Sequence, residues 1–238
     1  MSFSKLTRAL HKWVSLFVGI QVLAWVVGGL VMSYAPLEKV RSEHLMKQTP
    51  EAALTTAELP PSLATMLAAH VNDGTEVREF RIKRSLDRVV CEIHKSDGTL
   101  LMLDASTGEM LSPLSEQQAL LYAQRDFTGV GKPIAVQWLT EHNTEYHKAL
   151  PVWRVDFNNE EQSHIYVSPA NGEILARRSN LWRLYDFFWM LHIMDYKNRS
   201  DFNHPLLIGA AALSVLMALS GLFLIFTSFR RRDFGWKN

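Results

Sequence analysis

Histidine is the residue type in this chain most suited to support chemistry, and two groups of histidines are of interest. His142 and His147 lie in a polar run that also contains Glu141 and Glu145. Imidazoles and carboxylates are ligands that zinc and related ions accept. A spacing of five, however, places the two histidines on no common helical face. We therefore predict a solvated loop between strands here, and no metal site.

The second group is His11, His192 and His204, which stand beside the two long apolar stretches of the chain. Neither stretch contains a histidine in its interior. His192 and His204 are 12 residues apart, and the polar segment between them predicts a loop. These two residues could share one metal ion, or each of the three could be a polar residue at a membrane surface. The spacing favours the second interpretation.

No other arrangement of residues indicates catalysis. The sequence contains no Gly-x-Ser-x-Gly, no phosphate loop, no dinucleotide-binding glycine motif and no His-Glu-x-x-His. The single cysteine, Cys91, lies in a predicted strand, where we expect a buried apolar side chain. The chain is therefore expected to act as an accessory subunit rather than as a stand-alone enzyme.

The elements that position these residues begin with two membrane spans. Residues 13–34 and 205–229 carry no charge, and each stretch exceeds the roughly 20 residues that a helix needs to cross the hydrocarbon core. The residues between them mix polar and apolar types, as a soluble domain does. A cleavable signal peptide is the alternative for the first stretch, because Ser33-Tyr34-Ala35 resembles a cleavage site. Its apolar region is too long for that, and Pro36 would follow the cut.

The charges outside the spans predict the orientation. Seven bases and one acid flank the spans on their outer ends, which leaves 18 bases and 23 acids, a net charge of −5, in the middle. By the positive-inside rule, both termini are cytoplasmic and the middle domain is periplasmic, in a bacterial inner membrane. The counts do not support nucleic-acid binding. The flanking residues are Lys5, Arg8, Lys12, Arg230, Arg231, Arg232, Asp233 and Lys237.

The middle domain is predicted to be α+β and to contain two copies of a unit made of a helix and a small antiparallel sheet. Residues 103–111 align with residues 167–175 at an offset of 64, and both copies place a glycine, Gly108 or Gly172, in a turn after a strand. A turn residue with positive φ favours glycine. We predict helices at 62–71 and 115–126, a turn at 72–74, and strands at 77–82, 89–93, 100–103, 134–138, 153–157 and 164–167, the last of the domain.

The spans also have residues suited to close packing. Gln21 inside the first span needs a hydrogen-bond partner, which we expect on the second span or on a neighbouring subunit. Ala210, Ser214, Ala218 and Gly221 predict a smooth face on the second span, which we expect to pack within the chain. The aromatic segment 181–194 predicts a helix at the outer membrane interface.

Together these residues resemble the PepSY-associated transmembrane family. The resemblance implies a periplasmic PepSY domain and, in larger members, iron-siderophore reduction with b-type haem held by membrane histidines. Soluble PepSY domains elsewhere inhibit peptidases or act as their propeptides. The motifs that carry the likeness are Leu10-His11-Lys12-Trp13, Trp25, Gly28-Gly29, Thr107-Gly108-Glu109, Leu150–Val155, Asn171-Gly172-Glu173, Trp189-Met190-Leu191-His192 and Leu219-Ser220-Gly221-Leu222.

The fold expected from this resemblance is a membrane α-helical protein with two spans and a periplasmic α+β domain of two PepSY-like helix and antiparallel-sheet repeats. The predicted segments are 1–35 (cytoplasmic N-terminus and first span), 36–60 (linker with some helix at 39–47), 61–112 and 113–178 (the two repeats), 179–203 (interfacial aromatic helix and loop) and 204–238 (second span and basic cytoplasmic tail).

The resemblance makes His11, His192 and His204 candidate ligands of haem b. His11 and His192 are predicted on opposite membrane faces, roughly 30 Å apart, and cannot share one iron in a monomer. A homodimer or a membrane partner would supply the second ligand. We therefore expect a lipid-embedded accessory of a redox or iron-uptake reductase system. The alternative is a periplasmic binding or regulatory module that contacts a peptidase or another envelope protein.

Overall fold

The computed structural model describes residues 3–47, 53–55, 59, 63–70 and 76–228. The chain divides into two compact units, Met1–Pro36 with Leu184–Asn238, and Leu37–Arg183. We call them the helical unit and the central unit. Of the predicted features, the turn at 72–74 and the basic tail after residue 228 lie outside the described residues, as do 48–52 of the linker.

The helical unit contains the two long apolar helices that the sequence predicts. The first, α1, spans Phe3–Tyr34, and the last, α6, spans Pro205–Ser228; the two pack against each other. Half-buried residues recur on α6 every three or four positions, which is the helical period. Ala210, Ser214 and Gly221 are among them, whereas Ala218 is exposed, so the predicted smooth face is wrong at that residue.

A third helix, α5 (Asn180–Ile193), is the predicted aromatic helix and ends within the helical unit. It approaches α1 closely at Gly28, where an added Cβ would lie 3.6 Å from the carbonyl oxygen of Phe188. Two short helical segments follow the first span, α2 (Leu37–Val40) and a 3₁₀ turn (Glu43–Leu45).

The central unit begins with a helix and a three-stranded antiparallel sheet. Met66 of the helix packs on a core formed by Cys91, Ile93 and Leu103 of the sheet. Cys91 is fully buried, as predicted, and burial raises the pKa of its thiol. The elements are α3 (Leu63–His70), β1 (Val77–Ser85), β2 (Arg88–Lys95) and β3 (Leu100–Asp104), in the order β1-β2-β3.

A second helix and a separate four-stranded antiparallel sheet follow. The predicted strands are present, but His164–Val167 is not the last one, because Ile174–Arg178 adds an edge strand. Ala119 and Ala123 of the helix pack on Val155 and Ile165. The elements are α4 (Glu116–Asp126), β4 (Pro133–Leu139), β5 (Val152–Phe157), β6 (His164–Val167) and β7 (Ile174–Arg178), in the order β4-β5-β6-β7.

The sequence repeat corresponds to a structural repeat. After β3 the amide of Gly108 donates to the Asp104 carbonyl (2.9 Å), and after β6 the amide of Gly172 donates to the Ser168 carbonyl (2.9 Å). The two glycines have φ values of 75° and 76°, so both occupy the left-handed region that the sequence predicts. The expected architecture is confirmed: two apolar helices at the termini and a central α+β region, here with two antiparallel sheets.

Candidate functional site

His11 lies at the contact between the two long helices, where its Nδ1 forms a hydrogen bond with the hydroxyl of Ser220. The hydroxyl of Ser220 donates its only proton to the Met217 carbonyl oxygen (2.9 Å). With the hydroxyl proton on this carbonyl, Ser220 accepts the hydrogen bond from His11 Nδ1 (2.8 Å), and Nδ1 carries the proton. Nε2 is left with the lone pair, the form of imidazole that binds a metal.

Gly221 makes room for this ring. A Cβ added at Gly221 would lie 3.0 Å from His11 Cε1, closer than most side-chain contacts. Glycine therefore allows α6 to approach the half-buried imidazole, and Ser220 beside it supplies the hydrogen bond. The sequence shows both residues, in Leu219-Ser220-Gly221-Leu222, but not their contact with a histidine 209 positions earlier.

The carboxyl end of α5 is held by side chains of the helical unit. Its last carbonyls have no partner within the helix and need outside donors. Gln21 Nε2 donates to the Leu191 carbonyl (2.9 Å), and Trp25 Nε1 donates to the carbonyl of His192 (2.8 Å). The predicted partner of Gln21 on the second span or a neighbouring subunit is thus wrong, since α5 supplies it. In an apolar environment an unpaired backbone carbonyl lowers the stability of the fold, so the two side-chain donors stabilise the end of α5.

His204 caps two helices at once. Its Nε2 donates to the Ile193 carbonyl at the end of α5 (2.9 Å), and its Nδ1 accepts a long hydrogen bond from the Leu207 amide (3.4 Å) at the start of α6. Pro205 follows at the first helical position, where its fixed φ suits a helix start. Both ring nitrogens of His204 are therefore engaged in helix capping.

His192, at the end of α5, lies beside Trp25 of α1 and is therefore far from His11, which is near the start of α1. The His192 ring is 6.4 Å from the Trp25 ring, and residue 25 is 14 positions beyond residue 11, about 21 Å along the helix. His192 Nδ1 is shielded from solvent and has no hydrogen-bond partner among the described residues. Metal-bound histidines usually have the second nitrogen hydrogen-bonded, so His11 fits a haem ligand better than His192 does.

A haem with two histidine ligands therefore does not fit within one chain. His11 and His192 are too distant to share an iron, and His204 has no nitrogen to spare. The rise of about 21 Å along α1 between residues 11 and 25 leads to the same conclusion as the membrane thickness of roughly 30 Å used in the sequence analysis. His11 fits as a single ligand, whose counterpart would come from another subunit.

The central unit holds a charged cluster that sequence reasoning missed. The Glu145 carboxylate accepts hydrogen bonds from His164 Nδ1 (2.7 Å), Arg183 Nε (2.7 Å) and the Tyr166 hydroxyl (3.1 Å). Burial alone would raise the pKa of Glu145, but the hydrogen bonds and charges of His164 and Arg183 outweigh burial and lower the pKa to about 2. Burial and the Glu145 charge raise the pKa of Tyr166 to about 12.

The cluster extends to a second ion pair on the same sheet. Arg154 and Asp156 of β5 form a bidentate pair, with both nitrogen–oxygen distances 2.7 Å. His164 Nε2 lies 3.7 Å from Asp156, so the imidazole stands between two carboxylates. No sequence motif links these residues, because their positions become neighbours only through the strand register of β5 and β6.

His142 and His147 flank a tight turn. Asn143 and Tyr146 exchange backbone hydrogen bonds (3.3 Å each), and the two imidazole rings are 6.0 Å apart between centres. The predicted loop between strands is thus a hairpin turn, and the histidines face each other across it. Glu145, predicted to share this loop, directs its carboxylate into the charged cluster instead.

Two helices long and apolar enough to cross a membrane, Leu6–Tyr34 and Pro205–Phe226, flank the central unit. This is the arrangement of a membrane protein with a soluble domain between two candidate spans. The profile of the family described as PepSY-associated TM region matches residues 8–238, and the chain belongs to that family. Comparisons with curated proteins and with solved structures gave no match.

Proposed function

We propose that the chain is an accessory subunit of a redox or iron-uptake reductase system in the bacterial inner membrane. Both termini are cytoplasmic and the central unit is periplasmic in this proposal. The charge distribution supports this orientation, because bases flank the two spans on their outer ends and the intervening residues carry a net charge of −5.

In this proposal His11 holds one axial position of a haem b, and a second copy or a partner subunit supplies the other ligand. The observation that carries the proposal is the chain of hydrogen bonds from His11 Nδ1 to Ser220 and from Ser220 to the Met217 carbonyl. Such a chain fixes the tautomer and the ring orientation of a ligating histidine. When bound, the haem would carry single electrons.

The chain's own residues then have defined tasks. Ser220 holds the proton of His11 on Nδ1, so that the lone pair of Nε2 is the one that would bind the haem iron. Gly221 leaves space for the ring between the two helices. Of the other two candidate ligands, His204 caps α5 and α6 with its ring nitrogens, and the backbone carbonyl of His192 accepts the hydrogen bond from Trp25.

The test is a reduced-minus-oxidised visible spectrum of the detergent-purified chain, expressed with ample haem. We expect a b-type signal that His11→Ala abolishes and that His192→Ala retains. Ser220→Ala should keep the signal and shift the midpoint potential, because the second nitrogen of the ligand loses its partner. Loss of the signal in His192→Ala with no change in His11→Ala would refute the assignment of His11.

A binding or regulatory module is the second candidate, and the edge of the second sheet favours it. Among the described residues, strand β4 has a hydrogen-bonded neighbour on one side only. Val130, just before the strand, and Ile134, within it, are 96% and 66% exposed. An edge strand with exposed apolar residues can add a strand from another protein, such as a peptidase. Ile134→Asp would weaken such a complex and leave a haem spectrum unchanged.

A further inference from the structure

The turn between β4 and β5 is rigidly built. Asn143 Oδ1 accepts from the amides of Glu145 and Tyr146 (2.9 Å each), which closes the turn around residues 144 and 145. Tyr146 is buried, stacks on Tyr166 at 4.7 Å between ring centres, and donates its hydroxyl proton to the Ala149 carbonyl (2.9 Å). Glu145 is fixed in the charged cluster. These contacts therefore fix the backbone on both sides of the turn.

His142 and His147 are the cross-strand pair next to this turn. Asn143 and Tyr146 form the hydrogen-bonded pair, so the residues immediately outside them stand opposite each other. Both imidazoles are exposed to solvent, and their ring centres are 6.0 Å apart. A metal ion about 2.0–2.1 Å from one nitrogen of each ring places the ring centres about 4.5 Å apart at a right angle at the metal and about 5.2 Å apart at a tetrahedral angle. A small rotation of the two exposed side chains from their 6.0 Å separation is therefore enough for one ion to reach both rings.

We propose that His142 and His147 together bind one divalent transition-metal ion on the surface of the central unit, with Cu²⁺ bound more tightly than Zn²⁺. Imidazole pairs suit both ions, and the general order of affinities places Cu²⁺ first. The described residues bring no third histidine, cysteine or carboxylate into such a group, so water completes the coordination. An ion held by two ligands at an exposed position exchanges readily, which suits transient binding rather than a structural site.

This inference is independent of the haem proposal, because it concerns different histidines in the other unit. The sequence analysis rejects a metal site here, since a spacing of five places the two histidines on no common helical face. Across a two-residue turn the same spacing places the two side chains opposite each other.

The experiment titrates Cu²⁺, and separately Zn²⁺, into the full chain in detergent, purified with a tag that contains no histidine. The readouts are calorimetry and, for Cu²⁺, the nitrogen hyperfine pattern in electron paramagnetic resonance. We expect binding of one ion with two nitrogen ligands. His142→Ala and His147→Ala should each weaken binding on the order of a hundredfold, since the second imidazole acts at a high effective concentration.

The matched control is His44→Ala, which removes another partly exposed histidine, one that forms a hydrogen bond with Glu161, and should not change the affinity. Since both positions are exposed, the variants should melt like the wild type without metal, and only the wild type should gain thermal stability from the ion. Equal affinities in the wild type and both single variants would overturn the proposal, as would a signal from one nitrogen ligand in the wild type.

Discussion

Replacement of Glu145 by glutamine removes the charge at the centre of the cluster in the central unit. The side chain is 16% exposed and accepts hydrogen bonds from His164, Arg183 and Tyr166. Lowering the pKa of this carboxyl from its ordinary value of 4.5 to about 2 corresponds to about 3 kcal/mol of stability at neutral pH. We expect Glu145→Gln to reduce the free energy of unfolding by about that amount.

The pH dependence follows from the direction of this shift. A carboxyl whose folded-state pKa is lowered stabilises the fold fully above its unfolded pKa, near 4.5, and loses that contribution as the pH falls toward 2. More than half of the difference between the wild type and Glu145→Gln should therefore be gone by about pH 3.

Urea unfolding of the full chain in detergent, followed by near-ultraviolet circular dichroism, measures this difference. The matched control is Glu141→Gln, which removes an exposed carboxylate from the same hairpin and should leave the unfolding free energy within about 0.5 kcal/mol of the wild type. A loss of stability that is equal at pH 7 and pH 3, or equal in the two variants, would refute the reasoning.

Two further predictions concern close contacts. Gly172→Ala should lower the unfolding free energy by about 2–4 kcal/mol and Gly108→Ala by about 1–2 kcal/mol. Both glycines have positive φ, but only at Gly172 would the new methyl lie 2.4 Å from the Tyr122 ring; equal losses in urea titrations would contradict this difference. Gln21→Leu should cost about 1–3 kcal/mol, because the Leu191 carbonyl loses its donor. An unchanged melting temperature of the detergent-solubilised variant would contradict that role.

The strongly periodic elements could be predicted from the sequence. The spans follow from the length of the uncharged stretches, and α4 follows from Ser115, which caps the helix with Gln118 in a reciprocal pair of hydrogen bonds. The turn glycines follow from the repeat. The last strand, β7, was missed because Ala176, Arg177 and Arg178 interrupt its apolar pattern.

The candidate sites could be predicted only as lists of residues. His11 was identified from its position, but its tautomer depends on Ser220, which approaches it through helix packing. The cluster around Glu145 joins residues 19 and 38 positions away, and only tertiary structure brings them together. His142 and His147 lie opposite each other only because a two-residue turn separates Asn143 from Tyr146. The two central residues, Thr144 and Glu145, are a weak signal for such a turn, because favoured hairpin turns contain glycine or asparagine there.

The most direct test of the proposed function is the haem difference spectrum of the wild type, His11→Ala and the surface control His44→Ala, recorded on detergent-purified chains with haem and protein quantified in the same samples. The proposal predicts a b-type signal in the wild type and in His44→Ala, and its loss in His11→Ala. A flat wild-type spectrum after expression with ample haem, or an undiminished signal in His11→Ala, would contradict the proposed role of His11.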